Sequence, residues 1–461
     1  MFIFPSLYII AFFTAVYRLL KGKQDAILLF LLVALPIYIT SLSVANMYGL
    51  TKMIPVLQTF KEVLILVALI SFTWKYQKKL NLHIVDWLVI SYLVYNLLYV
   101  VLPIGTYSLL EKLIACKGIC FFPFVYFTGR FCNPRLINLN KWFYYICVLA
   151  ILSGIVLLFE VIPYQHLQTY TGYADYNEIF FNVEPAGNYG LTWTFESING
   201  IKRFASFFSM PLEHAAACLI SISVLAALAT DKKNRIRLNY FLLITFAFTL
   251  FSITFAFSRA AFASYFLMIY MYMLITRNKT WLKMIHWGIA AAIVAVLVWL
   301  EGDIYEVITT TIDFSDSSSV SHVIEWLAGI QSIGNNPMGL GLGYSGRIAG
   351  SFGENIGGEN QLIIIGVQTG IIAILLYITI YWLIIKNAFQ IFISSKSGKE
   401  RKLGLMLVLL KVGIIIPLLT AEVETYLYIS YFIWFFSGLL ISIVSMKKEN
   451  SKPSTIHEVR N

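Results

Sequence analysis

The sequence predicts an all-α polytopic membrane protein with about 12 to 13 transmembrane helices, and three observations predict it. Apolar runs long enough to cross a bilayer recur from near the first residue to near the last. Cations gather in alternate gaps between those runs. With 59% hydrophobic and only 13% charged residues, the 461-residue chain also carries more apolar surface than a soluble domain can bury.

In order, the runs fall at 2–18, 25–43, 53–73, 84–102, 112–130, 141–163, 205–229, 238–256, 260–276, 285–300, 360–385, 404–420 and 427–445. The first begins without a basic leader or a small-residue cleavage site and reads as a retained span. If it lies at the interface instead, the count falls to 12. Residues 1–446 form one integral membrane domain on this reading, and 447–461 form a polar cytoplasmic tail.

One set of gaps holds Arg18 with Lys21 and Lys23, Lys75 with Lys78 and Lys79, and Arg130 with Arg135 and Lys141. It continues with Lys232 to Arg237, Arg277 to Lys283, Lys386 to Lys402, and Lys447 with its followers. Excess Lys and Arg marks a cytoplasmic face. The net charge of +10 is therefore a topology signal, and nucleic acid is not expected as a partner.

The opposite gaps become extracytoplasmic loops, two of them long, at about 164–203 and 301–358. The second carries Glu301, Asp303, Glu306, Asp313, Asp316, Glu325 and Glu354 against one cation, Arg347. Within it, Ser321 to Ile333 places Val323, Leu327 and Ile330 at helical spacing, as in an amphipathic helix on a membrane surface. The turn that follows, GNNPMGLGLGYSG, would bring backbone close to whatever binds there.

Cations away from the cytoplasmic face need a reason. They are Lys52, Lys61, Lys112, Lys117, Lys202, Arg203, Arg259, Arg347 and Lys411. Arg203 and Arg259 stand at the outer surface among apolar neighbours, where a planar guanidinium can hold a diphosphate in two-point contact or reach out to lipid headgroups. Lys117 and Arg347 join them as candidates for substrate binding. Lys61 with Glu62, Glu111 with Lys112, and Lys411 with Glu422 or Glu424 read as ion pairs that fix helix packing.

Glu359 and Asn360 lie where the second loop returns to the membrane. A partly desolvated carboxylate there has a raised pKa and can take a proton from a sugar hydroxyl. Glu354 and His322 are rivals for that base, and His322 and Asn360 are also substrate-binding candidates. The five cysteines lie in or beside apolar runs without histidine companions, so neither a disulfide nor zinc is expected. Asp313 with Asp316 is too thin a set for another metal. GLGLGYSG has the glycine spacing of a nucleotide loop but no Lys-Ser/Thr pair after it.

Three segments together resemble the O-antigen polymerase and O-antigen ligase superfamily (Wzy and WaaL). They are RFASFFSMP at Arg203 to Pro211, FSRA at Phe257 to Ala260, and EWLAGIQSIGNNPMGLGLG followed by ENQLIIIGVQTGIIAILLY. The resemblance implies a GT-C-type membrane glycosyltransferase in the bacterial inner or plasma membrane, with no cofactor. It implies a donor glycan on undecaprenyl diphosphate, inversion at the anomeric carbon, and polymerisation into O-antigen or capsular-type polysaccharide at the outer face. By this comparison Arg203 and Arg259 match the arginines that engage the diphosphate, and the second loop matches the lid. Membrane lipids and a chain-length regulator protein are the implied partners. Where ligases resemble one another in a histidine, this chain has Glu359-Asn360, which favours the polymerase and makes Glu359 the base. A ligase with a different acceptor and a flippase for lipid-linked oligosaccharide remain the alternatives.

Overall fold

A computed structural model describes residues 1–75, 81–197, 200–277, 279–298, 317–353 and 355–450. The described residues contain helices and isolated bridges but no regular strand. In chain order the helices are α1 (Ile3–Leu20), α2 (Ala26–Val33), α3 (Tyr38–Met47), α4 (Ile54–Lys75), α5 (Ile84–Val101), α6 (Leu109–Cys120), α7 (Phe122–Phe131), α8 (Leu139–Val161) and α9 (Tyr173–Phe181). They continue with α10 (Pro211–Ala229), α11 (Tyr240–Ala256), α12 (Arg259–Thr276), α13 (Lys279–Val298), α14 (Ser317–Asn335), α15 (Arg347–Phe352), α16 (Gln361–Ser394), α17 (Gly398–Thr420) and α18 (Leu427–Asn450).

Nine helices among the described residues are long and apolar enough to cross a membrane, or ten when α2 and α3, bent by 63°, count as one span. The chain is a multi-pass membrane protein. The larger count expected from sequence includes three further runs, which are also helical. Run 112–130 divides at Phe121, 238–256 is the 17-residue α11, and 285–300 falls largely within α13.

The breaks have covalent causes. Proline lacks an N–H and its ring crowds the carbonyl four residues earlier. Pro123 thus frees the Ile119 carbonyl, which accepts from the Tyr92 hydroxyl at 3.3 Å, and Pro36 sits in the bend between α2 and α3. Within α16, Gly370 takes φ +81°, so a long apolar run becomes two helices meeting at a kink.

The glycine-rich turn before α16 is laid into that kink. Leu340 N–H donates to Val367 O at 2.7 Å, Gly341 N–H to Gln368 O at 3.0 Å, and Ile371 N–H to Pro337 O at 2.9 Å. Its backbone therefore approaches its own chain rather than a ligand, because a Cβ on Gly339 or Gly370 would collide with the facing backbone.

α18, α10 and α17 form the centre, burying 89%, 83% and 78% of their most apolar stretches, whereas α1 and α4 bury 33%. The outer helices leave apolar faces for lipid. α7 and α18 cross backbone to backbone, since a Cβ on Gly129 would meet the Phe435 carbonyl and one on Gly438 the Tyr126 carbonyl.

The alternation of gaps also appears in space. Arg130 pairs with Asp86 at 3.0 Å and donates to Asn81 O and Ser445 Oγ, Arg401 reaches Asn234, and Lys402 reaches Asn140. These contacts gather the cation-rich gaps at one end of the bundle. The long loops gather at the other, where Lys202 reaches Tyr164, Tyr344 reaches Thr106, and Arg347 reaches both Asn177 and Glu422.

Candidate functional site

Two charged clusters form at the loop end. In the first, Phe257 adopts φ +49° and turns the chain sharply between α11 and α12, Ser258 caps α12, and Arg259 becomes its first residue. Arg203 arrives from the preceding loop. Its N–H donates to Phe195 O at 2.8 Å and the next N–H, of Phe204, to Phe255 O at 3.0 Å, which fastens the strand-like segment to the end of α11.

The two arginines meet electrostatically. Burial holds the Arg203 guanidinium below its ordinary pKa, and the positive charge of Arg259 lowers it further. Arg203 Nε is buried without a hydrogen-bond partner, while Arg259 is exposed. Two like charges that act on one another, with an unused buried donor, favour an anion nearby.

In the second cluster, the N–H of Arg347 donates to Glu422 Oε2 at 2.7 Å, and its guanidinium donates to Asn177 Oδ1 at 3.2 Å over the Phe181 ring. Burial pushes the Glu422 carboxyl up to about 7, opposed by the hydrogen bond and charge of Arg347 and reinforced by Glu359. A cavity of about 40 Å³ beside Arg347 is lined also by Tyr38, Ser209, Glu213 and Tyr426. That volume accommodates a water or one small group, not a sugar.

Glu359 belongs to this second cluster. Loss of hydration raises its pKa and Glu325 adds to the rise, while His322 and Arg347 oppose it. Its side chain is nevertheless exposed by area, so protein crowds the carboxyl and leaves it reachable. His322 Nδ1 lies 3.8 Å from Glu325 Oε2, and Glu325 packs over the Gly358 backbone. The structure thus places α14 against the return to the membrane and brings His322, Glu325 and Glu359 together. Among the described residues Val320, Ile324, Leu327 and Ile330 are exposed along α14, a stripe shifted by one residue from the one expected at Val323.

Several expectations are corrected. Asn360 is buried and its Oδ1 accepts from Leu362 and Ile363 N–H at 3.0 and 3.2 Å, so it caps α16 instead of facing a ligand. Lys117 pairs with Glu62 at 2.7 Å. Glu62 also holds Lys61 at 3.0 Å, and Lys61 donates to Tyr38 at the wall of the small cavity. Glu111 and Lys112 do not pair, because Glu111 closes a capping box with Ser108 while Lys112 donates to Leu102 O. Lys411 has no hydrogen-bond acceptor and rests over Tyr381 and Trp434 at 4.0 and 4.1 Å. Of its two expected partners, Glu424 acts on it electrostatically and accepts from Trp434, while Glu422 serves Arg347.

Arg203 with Arg259, and Glu359 with Arg347 and His322, are the groupings that emerge; the interactions given above do not join one grouping to the other. Glu354 and residues 301–316, with Asp313 and Asp316, lie outside the described residues, as does 451–461 of the tail. The five cysteines are free and buried, and no three His, Cys, Asp or Glu among the described residues come together as a metal set.

Sequence reasoning passed over Glu213 and Asn177 and did not connect Glu422 with Arg347. An acid inside the apolar run at Glu213 was the available signal. Comparison with protein-family models and with curated proteins finds no match.

Proposed function

We propose that the chain is a membrane glycosyltransferase that polymerises oligosaccharide repeat units carried on a lipid diphosphate. By resemblance the carrier is undecaprenyl diphosphate and the membrane a bacterial inner or plasma membrane, and the charge bias favours the loop end lying outside the cytoplasm. The observation that carries the reading is that Arg203 and Arg259, from separate segments of the outer end, lie close enough for their charges to act on one another.

The donor diphosphate sits against that pair, which stabilises the charge released as the anomeric carbon–oxygen bond breaks. A hydroxyl oxygen of the incoming unit attacks the anomeric carbon from the opposite face and inverts it. The bonding electrons leave with the diphosphate, and the hydroxyl proton passes to the Glu359 carboxylate. The acceptor must therefore reach from the carboxylate cluster around Arg347 to the arginine pair. Arg347 orients that cluster through Glu422 and Asn177.

A strain lacking the gene tests the reading by the length of its surface glycan. Collapse of the ladder to a single unit, restored by wild type, supports a polymerase. Long carrier-linked chains that never reach their final acceptor point to a ligase, whose chemistry at these residues is the same. The low-exposure charges Lys61 and Glu62 favour a second reading, movement of lipid-linked glycan across the membrane. An unchanged ladder together with lost transport of labelled lipid would support it.

A further inference from the structure

At the end opposite the proposed active site, a cavity of about 530 Å³ opens where α8, α10, α16 and α17 come together. Its charged lining is Lys232, Arg237, Lys399, Arg401 and Lys402 against one carboxylate, Asp231. That carboxylate is already engaged, accepting from the Lys233 and Arg235 N–H groups at 2.7 and 2.9 Å and pairing with Arg237 at 3.3 Å. The positive field inside the cavity is therefore not neutralised by its own wall.

Two of the cations are fixed in position. Arg401 donates to Asn234 at 2.7 Å and lies over the Phe392 ring at 4.8 Å, and Lys402 donates to Asn140 at 3.1 Å. These contacts go to neutral partners, so no opposite charge cancels either side chain, and the lost freedom reduces the entropy cost of binding. The helix dipole of α17 adds to the field, since Ser397 makes no side-chain cap and Gly398 lines the cavity.

Next to this cationic wall the surface is apolar. Ile393 on α16 is 57% exposed, and Leu238 and Tyr240 at the start of α11 are 49% and 89% exposed. A ligand with a phosphate and an attached hydrocarbon satisfies both surfaces at once, whereas a soluble phosphate uses only the first.

We propose that this cavity binds the phosphate of one anionic phospholipid headgroup, with Arg401 and Lys402 as fixed contacts, Lys232, Arg237 and Lys399 closing over it, and the acyl chains along α11 and α16. The site is separate from the glycan chemistry and does not depend on it.

Native mass spectrometry of the full chain in detergent tests the site, with phosphatidylglycerol, phosphatidylcholine or inorganic phosphate added at equal concentration. The expected result is one retained phosphatidylglycerol, with phosphatidylcholine retained roughly tenfold less. Arg401→Gln/Lys402→Gln should lose that preference. Lys232→Gln/Arg237→Gln, on an exposed link outside the bundle, should weaken it even if the first variant fails to fold, with helical circular dichroism reporting folding. Equal retention of the two lipids, or an unchanged preference in the folded variants, overturns the proposal. Displacement of phosphatidylglycerol by inorganic phosphate would assign the cavity to a soluble anion and also overturn it.

Discussion

Arg347 donates its backbone N–H to Glu422 at 2.7 Å while its guanidinium donates to Asn177 at 3.2 Å, so one residue ties both long loops to the turn between the last two helices. Glu422→Ala removes the carboxylate and leaves the Arg347 N–H unsatisfied. Below pH 7, where Glu422 is protonated, that hydrogen bond contributes about 0.5–1.5 kcal/mol. Hydrogen exchange across 340–352 measured there should quicken roughly 2- to 10-fold in this variant. Unchanged exchange would show that the loop is held elsewhere.

The loop end should respond to pH in two opposite directions. Glu422 has its pKa raised from 4.5 to about 7, so the folded form holds the extra proton and its contribution is full below 4.5 and is lost as pH rises through 7. His166 is buried with both ring nitrogens unpartnered, and burial, aided by Lys202, lowers its pKa from 6.5 to about 4. Its contribution is full above 6.5 and is lost as pH falls through 4. Protection factors should therefore fall with rising pH around 340–352 and rise with it around 164–170. Glu422→Gln and His166→Phe should each flatten only their own segment.

Arg203→Ala and Arg259→Ala should each slow glycan extension by about 10- to 100-fold, the range for one charge-assisted contact. Lysine in either place should recover only part of the rate, because it cannot make the two-point contact. Lys117→Gln should extend glycan at close to the wild-type rate, since Lys117 serves Glu62. Initial rates on the lipid-linked substrate check all three, and a slow Lys117→Gln variant would return Lys117 to the substrate.

Adding one methyl group at the crossing of α7 and α18 should be severe. Gly129→Ala and Gly438→Ala each drive a Cβ into a facing carbonyl that belongs to backbone and cannot swing away. Overpacking of this kind costs about 1–3 kcal/mol or more. A lower unfolding temperature in detergent is expected for both. Gly288→Ala, where the Cβ meets nothing within 4 Å, should match wild type.

The helices were legible because burial in lipid demands long apolar runs, and Arg203 and Arg259 could be singled out because both break the charge rule. What stayed hidden depended on contacts between distant segments. Asn360 looked like a polar group at a site, yet its position before Gln361 makes it a helix cap. The glycines of 339–343 suggested ligand approach, but the surface they approach is the α16 kink, which needs the positive φ of Gly370. Glu422 could be matched with Lys411 by proximity in sequence; only the fold brings Arg347 to it across 75 positions.

The most direct test uses the purified chain in nanodiscs with the lipid-diphosphate-linked oligosaccharide of its own host, following product length over time for wild type, Arg259→Ala and Glu359→Gln. A growing ladder of repeat units from wild type is predicted, with Arg259→Ala slow and Glu359→Gln nearly inactive while both remain folded. Labelled lipid that crosses the bilayer without any lengthening of its glycan would contradict the account, and a Glu359→Gln variant as fast as wild type would remove Glu359 as the base.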